Sequence, residues 1–413
     1  MKMPHRLSAS LVALLLLPGA LFGLAAPSGP EIRVAIAGTA TFPVTAVFPD
    51  GGFVVAWTTG VARSAIHARF FAASGAPTSG EIRLMQPQPA TQLLDGMAIT
   101  VDGGFVVVWE QSRPKNPGLM NVFARKFDRR GNPLTAAFVV HDANPYSRYG
   151  AKVAGTADGG FVVAWGADSP STPDFPIIHT DVVARFFHSD GTAAGPAFHL
   201  TGGGVENDPT DDNAIVPAAM AVAPDGSVAI VSNCFCDQPG LVLQRFARDR
   251  VLDDIDPIPP DCTCAGDLTV APSLAMAADG SFVVAWVTSN GLPFPDSPPI
   301  VVRARRFAAD GTGLGGVFQV NQHGRLTAAP LVATLTDGSF VIAWTGENGR
   351  DGSRSGVFAR AYDAGGGTSG PDLQLAQRAA GDQTLASIAA AGRAVAVWLG
   401  EGTRIAARVL VPH

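Results

Sequence analysis

The sequence predicts an all-β chain: a seven-bladed β-propeller of four-stranded antiparallel blades, closed by an N-terminal outer strand that completes the C-terminal blade. Three observations predict it. An eight-residue word recurs seven times, all six tryptophans occupy its last position, and the two ends of the chain carry complementary parts of one repeat.

The first residues read as a targeting signal. Lys2 and Arg6 form a basic start, and residues 11–26, LVALLLLPGALFGLAA, follow as an apolar run broken by Pro18-Gly19. Gly23 and Ala25 suit a signal-peptidase site, so residues 1–25 are expected to leave and residues 26–413 to form one propeller. The run is short for a membrane span of about 20 residues, and no later segment reads as one. The expected location is therefore the periplasm or the cell exterior. Without the signal, 27 basic residues face 35 acidic ones, a net charge of −8, and no basic block occurs. That balance argues against nucleic-acid binding.

The word is DGGFVVAW at 50–57 and 158–165, DGGFVVVW at 102–109, DGSVAIVS at 225–232, DGSFVVAW at 279–286, DGSFVIAW at 337–344 and AGRAVAVW at 391–398. Its tryptophans are Trp57, Trp109, Trp165, Trp286, Trp344 and Trp398. Asp-Gly favours a tight turn, because Gly tolerates positive φ, and the β-branched and aromatic residues after it favour an extended chain. Phe53, Val55 and Trp57 point one way along such a strand, Val54 and Ala56 the other. Both faces are apolar, so the sheet must be covered on both sides.

Three more strand-like pieces flank each word. A piece such as 272–277 or 330–335 precedes it. After the word and a variable stretch comes Ala-Arg-x-aromatic, as in VFARKF (122–127) and VVARFF (182–187). A turn and a short strand follow, as at 81–85, 197–201, 317–321 and 372–376. In chain order these are strands A, B, C and D. Four antiparallel strands in about 57 residues is the size of one propeller blade. The chain ends on a C-type strand, 404–411, and begins on a D-type strand, 31–36, so pairing the two closes the ring and removes exposed edges.

The pattern DGGFVVAW … VFARKFD … G … F resembles a propeller-type repeat of large secreted bacterial proteins, where it recurs beside calcium-binding or adhesive modules. The resemblance covers nearly all of the mature chain. It implies the architecture and no particular reaction.

Every unit also carries one Arg in strand C: Arg69, Arg125, Arg185, Arg245, Arg305, Arg360 and Arg408. A residue present in every blade serves the blade, so a structural role between blades is expected rather than an anion-binding ring. Diversity lies elsewhere. The B–C stretches, such as 110–121, 166–181 and 287–299, differ in length and composition and should form variable loops on one face, the usual place for binding.

The fourth unit departs most, with Ser232 in the Trp position and Ala247 two residues after Arg245. It holds all four cysteines. Cys234, Cys236, Cys262 and Cys264 lie in a B–C and a D–A loop of one face, and in an exported chain two structural disulfides between the pairs are the natural reading. Asp208, Asp211, Asp212 and Asn213 could bind calcium through hard oxygen ligands, although such runs are more often solvated loops. No other cofactor is indicated, and no catalytic constellation stands out around His141, His179 or His323. The expected function is that of an exported, monomeric, non-catalytic scaffold that binds a protein, a glycan or a surface through its variable B–C and D–A loops. The alternative is a saccharide hydrolase or lyase, which requires carboxylates, or a His and a carboxylate, to converge at the channel mouth.

Overall fold

The computed structural model describes residues 26–411 except 36–39, 61–62, 144, 173–174, 201–213, 224, 236–239, 248–249, 259–266, 291–300, 323–327, 348–354, 369, 378–380 and 401–403. Seven small antiparallel sheets form a ring, a seven-bladed β-propeller, with no helix among the described residues. Strand β1 (Ala26–Arg33) belongs to the last blade. Blade one is β2 (Ala40–Val47), β3 (Phe53–Thr59), β4 (Ala65–Phe71) and β5 (Ile82–Met85). Blade two is β6 (Gln92–Ile99), β7 (Phe105–Arg113), β8 (Asn116–Phe127) and β9 (Phe138–Val139). Blade three is β10 (Arg148–Gly155), β11 (Phe161–Thr172), β12 (Phe175–Phe187) and β13 (Phe198–His199). Blade four is β14 (Ala214–Val222), β15 (Val228–Phe235), β16 (Gly240–Ala247) and β17 (Arg250–Ile258). Blade five is β18 (Asp267–Met276), β19 (Phe282–Asn290), β20 (Val301–Phe307) and β21 (Phe318–Gln319). Blade six is β22 (Leu331–Thr334), β23 (Phe340–Gly346), β24 (Gly356–Tyr362) and β25 (Leu373–Gln374). Blade seven is β26 (Thr384–Ala390), β27 (Ala394–Gly400) and β28 (Arg404–Val411), completed by β1.

The first strand of each blade lies against the first strand of the next, β26 against β2 included, so these seven strands are innermost. Buried apolar side chains fall into seven clusters, one per seam between blades. The word explains this. Phe53, Val55 and Trp57 pack toward blade seven, while Val54 and Ala56 pack toward blade two. Each tryptophan is at most 1% exposed. The Asp-Gly turns also behave as written. Gly51 has φ +82°, and Asp50 Oδ1 accepts from the Gly52 N–H at 3.0 Å.

Strand C's aromatic has a partner that the sequence left implicit. Phe71 stacks on Phe53 at 4.8 Å between ring centroids, and Phe127–Phe105, Phe187–Phe161, Phe307–Phe282 and Tyr362–Phe340 repeat the pair. In each case the two rings face one another in the strand register.

Three expectations need correction. The closing strand is 26–33 rather than 31–36: Ala26 pairs with Val411 and Arg33 with Ala406, and a final Val34 N–H donates to the Ile405 carbonyl. Residues 110–121 and 166–181 are not mainly loops. In blades two and three the B and C strands run on into long hairpins, because pairing satisfies backbone groups that a loop would leave to water. Finally, β17 is nine residues long and takes in the acidic stretch 253–256, where the other D strands that follow a C strand span two to four residues.

Candidate functional site at the channel mouth

Three of the repeated arginines, Arg69, Arg185 and Arg408, donate to backbone carbonyls of the preceding blade. Arg69 Nε donates to its own turn at the Ser79 carbonyl, 3.3 Å, and its Nη1 donates to the Val34 carbonyl of the preceding blade, 3.1 Å. Arg185 reaches Gly195 and Val140 in the same way, and Arg408 reaches the Leu375 carbonyl at 2.7 Å. Arg360 instead pairs with the buried Asp372 at 2.6 Å. Arg245 breaks the pattern. The other six arginines pair with the sixth residue of their word, whereas Arg245 pairs with the fifth, Ala229, and Gln244 takes the regular place. A one-residue offset sends a side chain to the opposite sheet face. Phe246 consequently faces Val228 and supplies the aromatic missing at Ala247.

Of the other expected site residues, Asp208, Asp211, Asp212, Asn213, Cys236, Cys262 and Cys264 lie outside the described residues, as does His323. Cys234 is placed by its backbone in β15, opposite Ile215 and Gly240. His141 serves the fold: its Nε2 accepts from the Val122 N–H and its Nδ1 meets the Asp142 carbonyl at 2.8 Å, while burial pushes its pKa down.

A site that the sequence reading missed lies on the innermost strands. Aligning these by register gives seven equivalent positions, four residues before the one facing the word's fourth residue. They hold Pro43, Asp95, Ala151, Ala218, Pro272, Pro330 and Ala386. Asp95 alone is ionisable. The position after the word holds Thr58, Glu110, Gly166, Asn233, Val287, Thr345 and Leu399, and Glu110 alone is ionisable. One residue after the Asp95 position stands Lys152 in blade three, again the single charge among seven.

These three residues converge at the seam between blades two and three, at the end carrying the B–C and D–A connections. Glu110 Oε1 accepts from the Gly150 N–H at 2.7 Å; Gly150 has φ +64° and sits in an irregularity of β10. Asp95 stands beside the Glu110 carboxyl and the next N–H, of Ala151, close enough for each to act on its ionisation. Burial pushes Asp95 well above the ordinary carboxylate range, and the Glu110 charge pushes it further, with Lys152 opposing. Burial also raises Glu110, against the pull of Gly150, Asp95 and Lys152. Both carboxyls are therefore held above the ordinary carboxylate range, Asp95 the further of the two, and each acts on the other's ionisation. Asp95 Oδ2 is closed to solvent and has no hydrogen-bond partner among the described residues.

On the neighbouring innermost strand of blade one, one position earlier in the alignment, stands Phe42. It is 51% exposed and has φ +49°, the one non-glycine with positive φ among the described residues. A residue before proline is normally held in extended conformation, so this backbone is strained.

No protein-family model matches the chain, and no curated protein matches it in sequence. Solved structures do match. A protein of unknown function from Dyadobacter fermentans DSM 18053 is similar at TM-score 0.51 and 13% identity, over 77% of this chain and 94% of its own. The polysaccharide lyase Uly1 is similar at TM-score 0.51 and 11% identity, over 93% of this chain and 90% of its own. The likeness is one of fold.

Proposed function

We propose that this chain is an exported, non-catalytic binding propeller that takes a saccharide ligand on the face carrying the B–C and D–A connections. One observation carries the reading: the A–B turns repeat one geometry, while the opposite end of the molecule presents hairpins of unequal length and the single-copy Asp95, Glu110 and Lys152. A rigid scaffold with diversity confined to one end is the usual arrangement for recognition. Export follows the N-terminal signal, and the resemblance to secreted repeat proteins agrees with it. The fold shared with a polysaccharide lyase is compatible with a saccharide ligand and supplies no residue roles.

The carboxyl pair does converge near the channel mouth, as the enzymatic alternative required. The reading is tested by incubating the purified protein with a polysaccharide panel and measuring both retention and product release. Retention without product is expected. Product that disappears in Asp95→Asn or Glu110→Gln would make the protein an enzyme.

A further inference from the structure

We propose that the seam between blades three and four is a hinge built into the ring. It opens and closes while the other seams stay shut, so the ring parts in the middle of the chain and not where β1 closes it. The hinge is independent of the saccharide reading.

Three kinds of tie recur at the seams, and this seam departs from all three. The first is the tryptophan. Six apolar clusters between blades each hold one, whereas the cluster between blades three and four holds none. Strand β15 places Ser232 there instead, on the face that carries Val228 and Ile230 toward blade three. Ser232 is 1% exposed, and its hydroxyl has no hydrogen-bond partner among the described residues. A buried, unpaired hydroxyl disfavours the closed seam at the very position where a tryptophan stabilises the others. The second tie is the arginine. Arg69, Arg185 and Arg408 reach carbonyls of the preceding blade. The register offset turns Arg245 to the opposite face, where its Nη2 donates to the Ser227 hydroxyl of its own blade at 3.4 Å.

The third tie joins innermost strands. Thr58, Glu110 and Thr345 accept the N–H of Leu94, Gly150 and Leu385 in the next blade. The corresponding pair at seam three–four is Gly166 and Pro217, since the register sets Pro217 opposite Ser232 as it sets Leu94 opposite Trp109 and Leu385 opposite Trp398. Glycine has no side chain to accept with, and proline has no N–H to donate. Gly166 serves blade three instead. A methyl carbon there would stand 3.1 Å from Tyr149 Cε2, and the Tyr149 hydroxyl donates to Asp168 Oδ1 at 2.9 Å. Across the seam stand the apolar cluster, in which Phe198 stacks on Phe186 and meets Phe246 at 6.3 Å between centroids, and one main-chain bridge between Thr180 and Ala214. Phe198 belongs to an outer strand and the bridge to the mouth, so both lie at the margins of the seam, where a pivot belongs.

The repeat supplies matched reporters. The alanine before the repeated arginine (Ala68, Ala124, Ala184, Ala304, Ala359 or Ala407) lies in the seam to the following blade and is at most 1% exposed. Ala229, equally buried, reports on seam four–five. The experiment replaces these alanines with cysteine one at a time in the full-length mature protein and measures alkylation by iodoacetamide in increasing urea. Peptide mapping separates the new thiol from the four native cysteines. Ala184→Cys should react about tenfold faster or more than the other six, and with the weakest dependence on urea, because local opening exposes little surface. Ser232→Ala removes the unpaired hydroxyl and should slow that reaction about threefold or more. Ala164→Cys, opposite Ala184 in the register, repeats the measurement should the first variant melt below the parent. Equal rates at all seven sites, a faster reaction in any other seam, or a rate unmoved by Ser232→Ala overturns the hinge.

Discussion

The seam between blades six and seven and the seam between blades two and three solve one problem with different side chains. Both bury a tryptophan against the preceding blade, Trp398 in one and Trp165 in the other. Both must satisfy an inner-strand N–H at the same register. Thr345 does so with a neutral hydroxyl, and Glu110 does so with a carboxyl that stands beside Asp95. The two are equivalent as joints. Only the second carries ionisable chemistry to the channel, so the apolar packing and the polar mouth of a seam are separable parts.

The harshest test removes what both seams depend on. Deleting residues 26–33 takes away the strand that completes blade seven, and a fall in melting temperature of more than about 10 °C is expected by calorimetry. An unchanged melting temperature would show that the ring does not rely on its closing strand. Next in size, Trp165→Ala and Trp398→Ala should each cost about 3–5 kcal/mol in denaturant titrations. Similar losses would show that the apolar joints are alike; a much cheaper Trp165→Ala would mean that the polar mouth alters the packing below it.

Smaller again is the loss of the bulge acceptor. Thr345→Val leaves the Leu385 N–H without its partner in a buried seam, at about 1–3 kcal/mol. Glu110→Gln retains an acceptor for Gly150 and should cost less than about 1 kcal/mol. Equal costs would show that the carboxylate is needed for the joint itself.

The smallest effects depend on pH, and they differ in sign between the two ends of seam two–three. Asp95 is raised, so the folded state binds more protons than the unfolded chain once pH passes the ordinary carboxylate value of about 4. Stability then falls as pH rises toward the raised value. Asp95→Asn should flatten this decline, gaining on the parent as pH rises above the ordinary carboxylate value of about 4. At the turn end, burial works against the Asp102 carboxylate, but the hydrogen bonds from Lys126, 2.6 Å away and itself 1% exposed, from the Thr100 hydroxyl and from the Gly104 N–H together outweigh it and lower the pKa. That contribution is present above pH 4 and lost on acidification, so Asp102→Asn should flatten the acid limb instead. Melting curves across pH 3–8 separate the two, and matching profiles for both variants would contradict the assignment.

The fold was legible because its signal is repeated: a turn, a two-faced apolar strand and one tryptophan, written often enough that variation in any copy does not hide it. Blade four shows the limit. The string Arg245-Phe246-Ala247 aligns its arginine with the others by letter, and only the hydrogen-bond register shows the one-residue offset that puts Gln244 in its place. The candidate site was hidden for a different reason. Attention fell on the stretches that differ visibly between units, whereas Asp95, Glu110 and Lys152 are single departures at positions that look regular. The signal was present in the letters, in the prolines and alanines that the other blades place opposite Asp95. Reading it required the inner strands to be aligned through an irregularity that shifts their register.

Strand β1 has a consequence for the order in which the molecule is made. Its partner, β28, is the last strand of the propeller in sequence order, so the two strands at opposite ends of the propeller's sequence must find each other. Contacts within each blade join residues a few dozen apart and can form as the chain appears, whereas this one spans nearly the entire polypeptide. Closure of the ring therefore needs β28 in place, whereas each of blades one to six is built from strands that follow one another directly in the sequence. The same adjacency brings the two ends side by side, so the protein could be cut at a turn between blades and rejoined across β1 and β28 without altering any blade.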